Sequence, residues 1–203
     1  MRNTYLTCLL ALLLLPISSA FSQSHLGLGV ELLAPITPYS KGYGLGYGAS
    51  FMYRRFEMTR PLILDVSVGF TRTSAKKDAN FAYGSGFNSY IYKPYTLRSY
   101  YAKFGLGWAF LPNASPYTQP YAGFELGYSL NSEGSNITHN QYLAGLRLGW
   151  MTYLAERVLF GLEMKYNAMI SLDGRSDKEY TSIGEIMDHQ MSFQFTTNVR
   201  LGR

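Results

Sequence analysis

The chain has 203 residues, enough for one domain with a sizeable core. Charged residues make up 15% of it, against roughly 25% in soluble domains, while Gly, Tyr and Phe occur 20, 18 and 12 times, a balance that excludes a disordered chain and argues against an ordinary soluble enzyme. The net charge of +5 comes from scattered basic residues, which give nucleic acid no footprint, and no run of 18 apolar residues exists to form a transmembrane helix.

The first segment reads as an export signal. Arg2 is the charged head, residues 9–15 form an apolar run too short to span a bilayer, and Ser18, Ser19 and Ala20 supply the small residues before cleavage. Residues 1–20 are expected to be removed, with cleavage as late as residue 23 as the alternative. Residues 24–203 then form a single domain. Cys8, the one cysteine, precedes the apolar run, so it is not placed as a lipoprotein cysteine and leaves with the signal. The mature chain is expected to have no disulfide, no thiol nucleophile and no cysteine-ligated metal.

Beyond the signal, period-two alternation dominates. Leu26, Leu28, Val30 and Leu32 share one face, with Gly27, Gly29 and Glu31 on the other. Next, Tyr43, Leu45, Tyr47, Ala49, Phe51 and Tyr53 alternate with Gly44, Gly46, Gly48 and Ser50. Leu62 to Phe70 alternate with Asp65, Ser67 and Gly69, and Tyr100 to Trp108 with Lys103, Gly105 and Gly107. Ala122 to Leu130 alternate with Gly123, Glu125, Gly127 and Ser129, and Tyr142 to Trp150 with Gly145, Arg147 and Gly149. Val158 to Tyr166 alternate with Gly161, Glu163, Lys165 and Asn167, and Met191 to Leu201 with Ser192, Gln194, Thr196, Asn198 and Arg200.

These eight segments match the roughly 9–11 tilted residues with which a strand crosses a bilayer. Their even number returns both chain ends to one side. The predicted fold is all-β: an eight-stranded antiparallel up-and-down transmembrane β-barrel. A soluble lipocalin-like barrel holding a small apolar ligand would alternate too, but its second face would meet water and be rich in Lys and Glu. Here that face is mainly Gly and Ser, which suits a narrow interior where small residues leave room for a few large charged ones. Those are Glu31, Asp65, Glu125 and Glu163 against Lys103, Arg147, Lys165 and Arg200, read as a paired salt-bridge network filling the barrel. Tyr43, Tyr53, Tyr100, Trp108, Tyr128 and Trp150, toward strand ends, read as aromatic girdles.

With both termini periplasmic, the short periplasmic turns fall near 55–61, 112–119 and 155–156. The opposite connections are 34–41, 73–95, 131–139 and 171–188, so the two longest lie outside. No second domain is expected.

Strand number, size and signal resemble the small outer-membrane barrels of the OmpA transmembrane-domain and OmpX type. The Phe21-Ser22-Gln23 ending of the signal and the Tyr/Gly-rich strands are similar to the outer-membrane barrel family of Bacteroidota, which includes a PorT-like secretion-system component. This resemblance implies location in the outer membrane of a Gram-negative bacterium. Such barrels often end in an aromatic residue read by the assembly machinery. This chain ends Val199-Arg200-Leu201-Gly202-Arg203, with Phe193 and Phe195 as the nearest candidates.

Signals of chemistry are weak. Gly44, Gly46 and Ala49 fit a minimal dinucleotide-binding spacing but lie inside a strand with no helix following. His139 and His189 read as rim residues, and the acceptor patterns at Asn113 and Asn136 as chance. A lipid A-modifying enzyme, resembling the palmitoyltransferase or deacylase barrels, is the functional alternative. The deacylase His-x-Ser-Asn pattern is missing, because Asn140, Gln141 and Tyr142 follow His139. No catalytic residue, cofactor or metal site is assigned. An open porin is disfavoured, since eight strands enclose room only for side chains. The expected role is structural or interaction-based, through external loops carrying Phe81, Tyr83, Phe87, Tyr90 and Tyr92, and Arg175 and Tyr180. The expected partners are outer-membrane lipid and lipopolysaccharide, with an envelope or secretion-system protein as a further candidate.

Overall fold

The computed structural model describes residues 23–36, 43–56, 61–77, 81–83, 90–92, 96–110, 118–133, 137–171 and 187–201. Within them lie ten strands: β1 (Gln23–Pro35), β2 (Tyr43–Phe56), β3 (Leu62–Ala75), β4 (Phe81–Tyr83), β5 (Tyr90–Tyr92), β6 (Leu97–Ala109), β7 (Thr118–Glu133), β8 (Ile137–Ala155), β9 (Val158–Ser171) and β10 (Met187–Leu201). Eight of them close into one antiparallel barrel in the order β1-β10-β9-β8-β7-β6-β3-β2. The seam pairs the first strand with the last, from Ser24 opposite Leu201 to Pro35 opposite Gln190. Closure leaves no free strand edge, as a bilayer demands. Strands β4 and β5 form a separate hairpin in the connection between β3 and β6, with Phe81 opposite Tyr92 and Tyr83 opposite Tyr90. We call the rim that carries Gln23 and Leu201 the terminal end and the opposite rim the loop end.

The sequence alternation becomes an inside and an outside. Outward residues are large and apolar: Leu28, Leu126, Leu146, Leu148 and Phe195 are all exposed. Inward residues are mostly Gly or buried polar groups, including Glu31, Ser50, Glu125, Asn167, Ser192, Gln194 and Asn198, with two clusters of apolar side chains among them. This arrangement is inverted relative to a soluble barrel, and it excludes the lipocalin-like alternative, whose apolar face must line the lumen. Trp108, Trp150 and Tyr53 toward the terminal end, and Tyr100, Tyr128 and Tyr142 toward the loop end, stand on the outer face as two aromatic rings.

Two expectations need correction. Tyr43 is buried, not part of a girdle, because the register between β2 and β3 slips between Tyr43 and Gly46 and turns the first residue of β2 inward. The connection drawn over 131–139 is only 134–136. Polar residues there continue the ladder, with Asn131 opposite His139 and Glu133 opposite Ile137. Strand ends beyond the hydrocarbon can be polar on both faces, so they look like loops in the sequence. The export signal, Phe87, Arg175 and Tyr180 lie outside the described residues.

Candidate functional site

The lumen is built in layers. At the terminal end Phe56, Ile63, Ala109, Tyr121, Met151 and Leu159 pack into an apolar plug. His25 is wholly buried beside it, stacked on Phe56 at 4.9 Å, with its Nε2 3.1 Å from the Tyr153 hydroxyl. Tyr153 in turn donates to Gln23 Oε1 at 2.6 Å. Toward the loop end Tyr101, Leu143 and Met169 form a smaller apolar cluster.

Between these clusters lies a continuous chain of ion pairs. Arg54 Nε donates to Asp65 Oδ1 at 2.6 Å, and Arg147 Nη1 donates to the other oxygen of Asp65. Arg54 Nη2 donates to Glu163, whose second oxygen is 3.4 Å from Lys165 Nζ. Lys165 also reaches Glu125 Oε2 at 3.3 Å, and Lys103 donates to Glu125 Oε1 at 2.9 Å. Six strands contribute, and Glu31 on β1 adds the fourth carboxylate. It accepts from Ser192 Oγ at 2.5 Å and from the Tyr101 hydroxyl at 3.1 Å. Lys103 Nζ lies 4.4 Å from the centre of the Tyr101 ring, which joins Glu31 to the rest. Four buried cations, Arg54, Lys103, Arg147 and Lys165, thus face four buried carboxylates, and their formal charges cancel. Desolvated charges persist only when paired and hydrogen-bonded in this way.

The fourth cation is Arg54, not Arg200. Arg200 sits beside His25 at the terminal rim, is only partly buried, and makes no ion pair with another described residue. Arg54 was legible: it continues the inward parity of Gly46, Gly48, Ser50 and Met52, but the following Arg55 gives the stretch the look of a turn.

Glycines make the room. A Cβ on Gly105 would lie 2.9 Å from the Arg147 guanidinium, and Gly107 and Gly123 border the same group. A Cβ on Gly149 would strike the Tyr121 ring. The centre of the Tyr121 ring lies 5.6 Å from each of the two guanidiniums. Arg147 Nε and Nη2 have no acceptor among the described residues, and the ring face provides their electrostatic contact. The ion-pair chain lines a cavity of about 10 Å³, room for about one water.

At the loop end, Tyr166 Oη and His189 Nδ1 are 2.7 Å apart with their rings stacked. His139 is paired in register with Asn131. Phe81, Tyr83, Tyr90 and Tyr92 form the β4–β5 hairpin. Among the described residues no group of three His, Cys, Asp or Glu side chains converges as metal ligands would.

No protein-family model matches the chain, and no curated protein matches its sequence. Solved structures do match. Neisserial surface protein A superposes with a TM-score of 0.57 at 13% identity, covering 88% of this chain and 97% of that one. The outer membrane protein OprG of Pseudomonas aeruginosa gives 0.51 at 9% identity, over 91% and 97%. A major outer membrane protein of Thermus thermophilus also gives 0.51, at 13% identity, over 89% and 99%. The chain has the fold of a small outer-membrane β-barrel. At these identities the likeness is one of backbone fold.

Proposed function

We propose that the barrel resides in the outer membrane with both chain ends in the periplasm, and that it works as a rigid, non-catalytic mount for its loop end. Its role is in envelope structure or in contact with lipopolysaccharide and with an envelope or secretion-system protein. The observation that carries this reading is the filled lumen. Seven ion-paired side chains surround a cavity of about 10 Å³ and an apolar plug fills the terminal end, an interior suited to packing rather than to transport. A barrel that is solid inside and apolar outside has only its rims free for recognition. The two longest connections, with the β4–β5 hairpin in one of them, leave from the loop end. Phe81, Tyr83, Phe87, Tyr90, Tyr92, Arg175 and Tyr180 are the proposed contacts, aromatic and cationic groups of the kind enriched at interfaces.

Deleting residues 79–92 tests this reading. Partners captured from whole envelopes by the wild type are expected to be lost on deletion, while the barrel stays folded. Unchanged capture would remove the loop from the proposal. Lipid A mass spectra are expected to be the same with and without overexpression, and a new acylation state would restore the enzyme alternative.

A further inference from the structure

Along the junction of β3 and β6 the outward pairs run Leu62/Trp108, Leu64/Leu106, Val66/Phe104, Val68/Ala102 and Phe70/Tyr100, and then Arg72 stands directly opposite Arg98. From Trp108 to Tyr100 is about 27 Å of strand, or about 20 Å of height at the usual tilt, close to the thickness of a lipid-facing belt. The two arginines therefore mark the belt's edge at the loop end. Both are exposed, and on the flanks Tyr47 pairs with Arg72 and Ser132 with Arg98.

Like charges directly opposed on one sheet face repel each other. Among the described side chains, no acid relieves them. Glu31, Asp65, Glu125 and Glu163 are buried in the lumen, and Glu156 lies at the opposite end. A shared anion would turn the repulsion into attraction. Two adjacent guanidiniums present forked donors that match the oxygens of a phosphate, and the exposed Phe70, Tyr100 and Tyr47 offer apolar surface on the membrane side.

We propose that Arg72 and Arg98 seat the phosphate of a phosphorylated outer-leaflet lipid whose acyl chains lie against Phe70, Tyr100 and Tyr47. The proposal rests on the orientation given under Proposed function, with the loop end at the outer leaflet.

The test compares wild type, R72A/R98A, R72K/R98K and R157A, the last an exposed arginine in the terminal-end turn between β8 and β9. Each full-length protein, folded in phosphatidylcholine nanodiscs, is titrated with bis-phosphorylated lipid A, and retention is read by native mass spectrometry. Inorganic phosphate serves as competitor. Wild type and R157A are expected to bind alike, R72A/R98A about tenfold or more weaker, and R72K/R98K in between, because lysine keeps charge and loses the fork. Inorganic phosphate is expected not to displace the lipid. Unchanged binding by R72A/R98A, equal weakening in R157A, or displacement by inorganic phosphate would each overturn the proposal. If R72A/R98A does not fold to the compact electrophoretic form, R72K/R98K decides in the same way. Orientation is scored separately by labelling K77C in intact cells, where an unlabelled site alongside specific lipid A binding would overturn the orientation and leave the seat standing.

Discussion

Asp65 is the residue on which the lumen network turns, because its two oxygens each hold a different buried guanidinium. Asp65→Asn preserves shape but leaves Arg54 and Arg147 facing a neutral group with a donor of its own. Breaking a buried pair by removing one partner costs about 3–5 kcal/mol. Urea unfolding of the barrel in micelles is expected to show a loss of that size, and a loss under about 1 kcal/mol would mean that the network is not a stabilising element. The glycines separate in a similar way. Gly149→Ala drives a Cβ into the buried Tyr121 ring, whereas a Cβ on Gly44 meets nothing nearer than a backbone oxygen at 3.8 Å. We expect the first to destabilise by about 1–3 kcal/mol, as overpacking does, and the second to be neutral or slightly favourable. Equal effects in the same unfolding measurement would show that the lumen has slack.

At the scale of the strand, the two faces obey different solvents, and depth along the strand should matter only outside. Leu146, halfway along the outward apolar stretch of β8, and Leu154, at its terminal end, are equally exposed at 67%. Leu146→Arg is expected to cost about 2–4 kcal/mol and Leu154→Arg about 0–1, since a cation is expensive only near the bilayer midplane. Equal costs in folding from urea into lipid vesicles would contradict the placement of the belt.

The alternation that made each strand legible has a period of two and survives any local polarity, so strand number, closure and the inward acids were readable from Glu31, Asp65, Glu125 and Glu163. Strand ends were not. Tyr43 changes sides through a register slip that no residue type announces, and Asn131 and His139 pair although both look like loop residues. Arg54 and His25 were missed for a related reason, since parity places both inside but each lies near a strand end, where a charged group is normally assigned to water. The pairing itself, such as which carboxylate meets which cation across the lumen, depends on barrel stagger, a property of all eight strands together.

For the whole molecule, the sum of these parts is a barrel that is polar and filled within and apolar without. That inversion makes bilayer insertion and closure a single property: an open form would expose both unpaired strand edges and the lumen charges to lipid. The most direct test is a gel of isolated outer membranes comparing boiled with unboiled samples. The barrel is expected in the outer-membrane fraction, running as a compact band unboiled and shifting to its full unfolded mobility only after boiling. Recovery in the soluble periplasmic fraction, with identical mobility before and after boiling, would contradict the assignment of the apolar face to lipid and with it the account as a whole.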